Sequence, residues 1–310
     1  MSKTLKTIVI GTSLTSHSDA VIRTGISLAR ATGASPWLIH TYPPSLGTYG
    51  AAGLDASWIE EQVKVLREQI DAQVERTGLS TLAGFSRDQV RLVLGTPHRE
   101  IVDLARRVDA GLIVVGAAEG HQGILGSTAD RVIRKAPCPV LVVRSEAAFP
   151  PARVEIPLDL SPVSVNALRQ GMAFLAQMGV PHNGTEVLFV LSPYEVGGSI
   201  HFDAEQIRRF ADEELHRLVA GSLPADLRPQ SLRVQTGYPR EEILARLAER
   251  KADLAVLGTH GRGGFERLMI GSVTAGVLRG ASCNLLVVPP EVGQPQDAAT
   301  EERTKEPVSA

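Results

Sequence analysis

Gly258-Thr259-His260-Gly261, followed by Gly271-Ser272, indicates the organisation of the whole chain, because a shortened copy occurs at residues 116–127. Gly116 recurs as Gly258 at an offset of 142 residues, whereas Gly126-Ser127 recurs as Gly271-Ser272 at an offset of 145. The first loop therefore lacks three residues. Self-similarity at so long a period predicts two homologous domains rather than a solenoid of short repeats.

Composition agrees with two globular domains and argues against several partners. The chain has 310 residues, 43% of them hydrophobic, and a net charge of -2, which fits two domains of ordinary size. It has no dense basic patch for nucleic acid and no apolar run near the roughly 20 residues that span a bilayer. We expect a cytoplasmic protein without nucleic-acid or membrane partners. Cys138 and Cys283 occupy matching positions, which favours core packing over a disulfide or a metal site.

In each half, short β-branched runs alternate with segments of helical period, the pattern of a parallel sheet covered by helices. The pattern predicts five strands and four intervening helices per half, and hence two doubly wound α/β domains. The predicted strands are Thr7 to Gly11, Trp37 to Thr41, Gln89 to Leu94, Leu112 to Val115, Val140 to Val143, Val154 to Leu158, Glu186 to Leu191, Ser231 to Gln235, Leu254 to Leu257 and Asn284 to Val288.

Two prolines between Ser145 and Ala152 mark the domain boundary. We predict a first domain at 1–146, a second at 152–290, and a polar tail at 291–310 that is disordered because it has almost no large apolar residue. The segment 42–55, rich in Gly, Pro and Tyr, is either a mobile flap or a packed connection.

The second glycine loop has the features of a phosphate site. It follows the strand ending at Leu257, and ligands of open parallel sheets lie beyond the carboxyl ends of the strands. Its glycines let N–H groups approach an anion, and a helix starting near Ser272 adds the positive end of its dipole. Ser272 can contribute its hydroxyl and cap the helix. The alternative is a purely structural turn with an N-cap. The Walker pattern GxxxxGK[ST] is absent.

The order strand, GxxG, nine residues, G[ST], helix and final apolar strand before Pro289 resembles the universal stress protein family. The resemblance covers residues 5 to 290 as a tandem pair and includes a Gly-x-Pro in each half. It implies two five-stranded, doubly wound, parallel-sheet domains of the adenine nucleotide alpha hydrolase-like type, related by a pseudo-twofold axis. It also implies that they pair through Val140 to Val143 and Leu285 to Val288, and that a homodimer is a reasonable expectation.

The resemblance further implies ATP binding, with or without Mg, by the second domain. Asp159 would accept a hydrogen bond from the nucleoside, and Val190 would contact adenine through its backbone. Gly258 and Gly261 would approach the ribose and phosphates. The residues expected to hold the phosphates through N–H groups and a hydroxyl are Gly271, Ser272 and Val273. Asp159 has a structural alternative as a cap for the helix beginning near Pro162, although Ser161 suits that cap better.

The first half departs from this pattern. Ser13 stands at the place of the acidic residue, and Glu119 at the place of the second glycine. Negative charge beside a polyphosphate is unfavourable, so we predict that the first domain does not bind ATP in the family's manner, unless Gly120 or Gly123 restores the backbone path. Micromolar binding by isolated residues 1 to 146 in calorimetry would contradict this.

Three functions remain open at this stage. The first is a stress-response protein whose nucleotide state regulates its conformation or an unknown protein partner. The second is a slow ATP hydrolase or nucleotidyl-transfer enzyme, which steady-state turnover would reveal. The third is a nucleotide-free scaffold, which a failure to bind any adenine nucleotide would favour. No constellation in the sequence orients water or supplies a leaving-group cation, so we assign neither catalytic nor metal-binding residues and favour binding over turnover.

Overall fold

The computed structural model describes residues 4–42, 56–117, 125–144, 149–193, 204–259 and 270–290. Within them, ten strands and eight α-helices follow one another in the predicted order. The first half comprises β1 (Thr7–Thr12), α1 (Ser16–Thr32), β2 (Ser35–Tyr42), α2 (Ala56–Thr77), β3 (Val90–Leu94), α3 (Pro97–Arg107), β4 (Leu112–Gly116), α4 (Ser127–Lys135) and β5 (Val140–Val143). The second comprises β6 (Val154–Leu158), α5 (Pro162–Gln177), β7 (Thr185–Leu191), α6 (Ala204–Ser222), β8 (Ser231–Thr236), α7 (Pro239–Glu249), β9 (Leu254–Gly258), α8 (Ser272–Gly280) and β10 (Asn284–Val288).

The ten strands form one continuous sheet with the order β3-β2-β1-β4-β5-β10-β9-β6-β7-β8. Every neighbouring pair is parallel except β5 and β10, which are antiparallel. The predicted α/β class with five parallel strands per half is confirmed, and each predicted strand end lies within two residues of the observed one.

The two halves join through their last strands, as the resemblance implied. Leu141 pairs with Leu286, its own equivalent in the repeat, while Val142 pairs with Leu285 and Val140 with Val287. The flanking pairs thus exchange equivalent positions, and a pseudo-twofold axis passes beside the Leu141–Leu286 pair. Each strand covers the apolar edge of the other, which would otherwise be open to pairing with another chain.

Each face of the sheet carries one hydrophobic core that extends across both halves. Leu141 and Leu286 belong to the core under α1, α2, α5 and α6, whereas Val142 and Leu285 belong to the core under α3, α4, α7 and α8. The two cysteines are buried and unbridged within the second of these cores, as predicted. The halves therefore share buried apolar surface, which couples their stabilities.

Several expectations fall outside the described ranges: those for Gly261, Glu119, residues 43–55 and the tail at 291–310. The domain limits at 146 and 152 remain predictions. Among the described helices, none has an apolar stretch of the length needed to cross a bilayer.

Helix α5 starts with the cap that the sequence predicts. Ser161 is the N-cap, and its hydroxyl accepts a hydrogen bond from the N–H of Ser164 at 3.2 Å. Pro162 is the first helical residue, where its missing N–H costs nothing. In the first half, Thr15 is the N-cap of α1 but makes no such side-chain hydrogen bond.

Replacing Ser161 with alanine should therefore lower the free energy of unfolding by about 1 kcal/mol, because the cap bond is lost. Thr15→Ala is the matched control and should have a smaller effect. Urea unfolding of both variants measures the difference. Equal losses from the two substitutions would show that the Ser161 hydroxyl does not stabilise α5 through its cap.

Candidate functional site

The second half has its topological switch point between β6 and β9. These strands are neighbours, with β7 and β8 on one side and β10 on the other. Helix α5, which follows β6, packs on one face of the sheet, and α8, which follows β9, packs on the opposite face. Diverging helices leave a crevice beyond the carboxyl ends of the two strands, where ligands of open α/β sheets bind.

This crevice brings together the described residues that were predicted for the site. Asp159 directly follows β6, and Gly258 ends β9. The pairing of Leu158 with Phe189 places Val190 level with Asp159 on the adjacent strand. The remaining predicted residues, Gly271, Ser272 and Val273, form the start of α8 at the same edge.

Asp159 shapes the turn that follows β6. Its Oδ1 accepts hydrogen bonds from the N–H of Ser161 at 3.0 Å and from the Ser161 hydroxyl at 2.5 Å. Because Ser161 itself caps α5, the alternative role of Asp159 as the helix cap is wrong. A carboxylate has two oxygens and about four acceptor positions, and both of these bonds go to Oδ1.

The turn after Asp159 is strained in the same way in both halves. Leu160 has a φ of 62° and its equivalent Leu14 a φ of 64°, a left-handed conformation that costs a residue with a Cβ about 1–2 kcal/mol. Both leucines pack against the core on the α1 and α5 face. In the first half the Ser13 and Thr15 hydroxyls lie 2.9 Å apart. The turn is thus common to both halves, and the carboxylate is particular to the second.

Gly258 lies against the start of α5 and is held from the other side by α8. A Cβ at this position would lie 3.2 Å from the carbonyl oxygen of Val163, closer than a backbone contact readily accommodates. The hydroxyl of Thr274 donates to the Gly258 carbonyl at 2.9 Å. Sequence reasoning missed Thr274, because a threonine inside a helix gives no sign of bonding to a strand 16 residues earlier.

The two described ends of the glycine loop are tied by backbone hydrogen bonds. The N–H of Gly271 donates to the carbonyl of Thr259 at 2.9 Å, and the N–H of Thr259 donates to the carbonyl of Val288 at 3.1 Å. The Gly271 N–H is therefore already used within the chain. Of the predicted phosphate donors at the start of α8, the N–H groups of Ser272 and Val273 remain as candidates.

Helix α8 starts with Gly271 as its N-cap and Ser272 as its first helical residue, so the prediction that Ser272 caps this helix is wrong. The first helical bond runs from the N–H of Ala275 to Gly271 at 2.8 Å. The N–H groups of Ser272, Val273 and Thr274 precede it and point out of the helix start, where the dipole is positive. The exposed Ser272 hydroxyl lies beside them. This end of α8 has the donors that a phosphate requires.

The corresponding helix of the first half differs at its start. Its N-cap, Gly126, has a φ of 88°, whereas Gly271 has a φ of -57°. Asp130 stands in its first turn at the position of Ala275 and pairs with Arg134 at 2.9 Å. The Asp130 carboxylate interacts favourably with the positive end of the helix dipole, but it would repel a bound phosphate. The offset of 145 residues would have identified Asp130 from the sequence.

The first half also fills the region beneath the end of β1 with its own polar side chains. Thr12 donates to the amide oxygen of the fully buried Gln73 at 2.7 Å, and the Gln73 amide donates to Asp19 at 2.7 Å. Burial raises the pKa of Asp19, but hydrogen bonds from Arg76 and Gln73 outweigh it and hold the pKa below its usual value. In the second half, the equivalent of Thr12 is the apolar Leu158.

Comparisons with known proteins agree with this architecture. The model of the Universal stress protein family matches residues 4–144 and again 152–289. A universal stress protein of Mycobacterium tuberculosis is 26% identical over 293 residues, covering 90% of this chain and 96% of its own length. A Thermus aquaticus universal stress protein is 32% identical over 142 residues, covering 45% of this chain and 98% of its own.

A crystal structure shows the same fold along nearly the whole chain. A universal stress protein from Archaeoglobus fulgidus superposes with a TM-score of 0.62 at 16% identity, covering 93% of this chain and 100% of that one. Together with the double match of the family model, the paired sheets and the repeated glycine loops lead to one conclusion: this chain belongs to the universal stress protein family.

Proposed function

We propose that the second half binds an adenine nucleotide, with ATP as the expected ligand, in the crevice between β6 and β9. One observation carries the proposal: the Asp159 carboxylate and the start of α8 lie at the same sheet edge, on the two sides of the switch point. A carboxylate accepts hydrogen bonds from ribose hydroxyls, and free helical N–H groups bind phosphates. The two groups match the two ends of a nucleotide.

The other predicted residues complete this assignment. The N–H groups of Ser272 and Val273, with the Ser272 hydroxyl, contact the phosphates. Gly258 lets the strand end approach the ligand, and Val190 meets adenine through its backbone. A Mg ion accompanying ATP would not require dedicated protein ligands, because magnesium is commonly bound through substrate phosphates and water.

In this proposal the first half serves the fold and the pairing of the halves rather than ATP. Ser13 supplies no carboxylate, and Asp130 adds negative charge at the helix that would face the phosphates. The differences at Ser13 and Asp130 lie on the two sides of one crevice, and each weakens the binding of ATP by the first half.

The role we propose is regulatory, in a stress response, with the nucleotide state biasing conformation or a protein partner. Helix α8 begins at the proposed phosphate site, and the carbonyl of Leu278 near its other end accepts a hydrogen bond from Arg144 of the first half. A displacement of α8 on binding would thus reach the junction of the two halves. This link supports a protein in which nucleotide binding alters the contact between the two halves. The described crevice residues are assigned to anchoring the ligand, and we assign none of them to activating a water molecule.

Mass spectrometry of the nucleotide that copurifies with the intact chain tests this function. We expect an adenine nucleotide bound to the wild type and lost from Gly261→Ala, with unchanged circular dichroism. A folded wild type that neither retains adenine nucleotides nor takes them up when they are added would contradict the proposal and favour a nucleotide-free scaffold. Sustained ATP turnover that Gly261→Ala abolishes would favour the enzyme instead.

A further inference from the structure

Two glutamates lie buried under α7, near the amino ends of β6 and β7 and away from the nucleotide crevice, and two partly buried arginines pair with them. Glu155 and Glu186 are direct neighbours in the register of the two strands. Arg250 donates to Glu155 at 2.7 Å, and Arg246 donates twice to Glu186, at 2.6 and 2.9 Å. Glu155 has no exposed surface, and Glu186 retains 4%. Two carboxyl groups and two guanidinium groups therefore hold the helix on the sheet.

The two glutamates are compensated unequally. Glu186 accepts both bonds from Arg246 and a third from the Ser231 hydroxyl at 2.9 Å. Glu155 accepts one bond from Arg250 at Oε2, and within the described part of the chain its buried Oε1 has no hydrogen-bond partner. Arg250 also donates to the carbonyls of Val154 and Gly184. A buried carboxylate with a shared partner and an unsatisfied oxygen favours taking up a proton.

The pKa values follow this difference in geometry. Burial, opposed by the bond from Arg250 and reinforced by the charge of Glu186, raises the pKa of Glu155 to about 7. Burial acts on Glu186 too, but the bonds from Arg246 and Ser231 outweigh it and leave the pKa of Glu186 below its usual value.

The first half provides a natural comparison without charges. The strand registers and the repeat offset place Val9, Trp37, Leu104 and Val108 at the positions of Glu155, Glu186, Arg246 and Arg250. Val9 and Leu104 are buried there in an apolar core, and Trp37 and Val108 pack against it. The fold does not need a charge at these positions, so whatever the charges add is particular to the second half.

We propose that Glu155 is a proton-controlled element of the second half: it is neutral in the folded state in mildly acidic solution and becomes charged above neutral pH, which weakens the packing of α7 on the sheet. The charged groups that act on it are Glu186 from β7, Arg246 from α7 and Arg250 at the C-cap of that helix. Glu249 pairs with Arg246 on the exposed side of the helix, and on the β9 side the neighbour of Glu155 is the uncharged Ala255. Protonation of one carboxyl group thus sets the charge balance of the whole cluster.

The direction of the effect follows from linkage. The folded pKa of Glu155, about 7, exceeds its ordinary value of 4.5, so the stabilisation is complete below pH 4.5 and is lost as the pH rises through 7. Between pH 5 and pH 8.5 the folding equilibrium constant should fall on the order of 100-fold from this group. The lowered pKa of Glu186 acts only below pH 4.5, where its stabilisation is lost on acidification. The two effects therefore occupy different pH ranges.

Weaker packing of α7 on the sheet would also affect α8, because the two helices are in contact. A Cβ at Gly276 would overlap the Arg240 side chain, and one at Gly280 would crowd Leu244, so the two helices are closely packed. Any consequence for the affinity of a nucleotide rests on the proposed function, whereas the proton effect itself does not.

The test compares the full-length wild type with Glu155→Gln, which mimics the protonated carboxyl, and Glu155→Val, which has the first-half residue. Unfolding by urea is followed from pH 5 to 8.5 without nucleotide. We expect wild-type stability to decline relative to both variants, with a slope that corresponds to nearly one proton released on unfolding between about pH 5 and 6.5 and to about half a proton at pH 7. Glu186→Gln should lower stability and move the decline to lower pH without abolishing it, because the charge of Glu186 contributes to the raised pKa of Glu155. Equal slopes in the wild type and either folded Glu155 variant would overturn the proposal.

Hydrogen exchange provides a second measurement that needs no variant. Between pH 6 and 8.5, peptides from α7 should lose protection beyond the intrinsic change in exchange rate, and peptides from α3 of the first half should not. Parallel behaviour of the two helices would also overturn the proposal, whether or not the Glu155 variants fold. Neither experiment involves a nucleotide, so their failure is distinct from failure of the proposed function.

Discussion

Replacing Asp159 with serine, the residue at the equivalent position of the first half, is expected to weaken ATP binding by about 10- to 100-fold. A hydrogen bond to a charged group contributes about 1.5–3 kcal/mol, and the carboxylate is the group lost. The turn should survive, because in the first half the hydroxyls of Ser13 and Thr15 make the corresponding contact at 2.9 Å. Equilibrium dialysis with labelled ATP measures the change.

Ser13→Asp is the matched control for this substitution. It introduces the same side chain into the same strained turn of the other half, where Asp130 and the shorter loop still oppose a phosphate. We expect the affinity of this variant for ATP to equal that of the wild type. An unchanged affinity in Asp159→Ser would show that the carboxylate does not anchor the nucleotide. A second site gained in Ser13→Asp would show that Asp130 and the shorter loop do not exclude a phosphate from the first half.

The second large effect is expected at the charged cluster under α7. Arg246→Leu, which introduces the residue found at Leu104, should destabilise the second half by about 3–5 kcal/mol, because removing one partner leaves a buried, uncompensated charge. Glu186 would keep a single hydrogen bond, from the Ser231 hydroxyl, together with the more distant charge of Arg250 and its 4% of exposed surface. Thermal and urea unfolding of the full chain measure the loss.

Replacing all four charged residues with their first-half equivalents should restore most of this stability. The quadruple variant Glu155→Val, Glu186→Trp, Arg246→Leu and Arg250→Val removes every buried charge at once, and apolar replacements of buried ion pairs are often neutral or stabilising. Trp37 has the guanidinium of Arg91 over its ring at 4.8 Å, and Arg233 stands at the matching place of the second half. Additive losses, with the quadruple variant worse than Arg246→Leu, would contradict this account.

Much of the fold could be predicted from the sequence because parallel strands buried on both faces are short apolar runs. Runs such as Leu112–Gly116 and Asn284–Val288 lie under helices on both sides, and prolines at the starts of α3, α5 and α7 mark the helix boundaries. The pairing of Leu141 with Leu286, in contrast, could not be predicted from local sequence patterns. It depends on contacts between distant strands and was anticipated only through the family resemblance.

The site could be predicted as a set of residues but not as a set of bonds. The described ends of the glycine loop and Asp159 lie at one sheet edge, as expected for a candidate site. The hydrogen bond from the Gly271 N–H to the carbonyl of Thr259, however, depends on backbone contacts that the sequence does not reveal. Helix α8 starts at Ser272, where it was predicted, but its cap was assigned to the wrong residue. Serine is a better cap than glycine in isolation, whereas here Gly271 adopts the capping backbone, with φ and ψ of -57° and 148°.

The charged cluster was missed altogether for a related reason. Glu155 stands within an otherwise apolar strand, and Glu186 begins the predicted run on the next strand. Only the strand register brings them side by side, and only the packing of α7 brings Arg246 and Arg250 to them. Local hydrophobic periodicity does not predict tertiary contacts among β6, β7 and α7.

The central claim is that one chain has one nucleotide site, formed by its second half. Calorimetric titration of the intact, nucleotide-free chain with ATP tests this most directly, because it counts sites. We predict a stoichiometry close to one ATP per chain in the wild type and no resolved site in the first half when Asp159→Ser weakens the second. Two equivalent sites per chain, or an absence of binding by folded protein, would contradict the account.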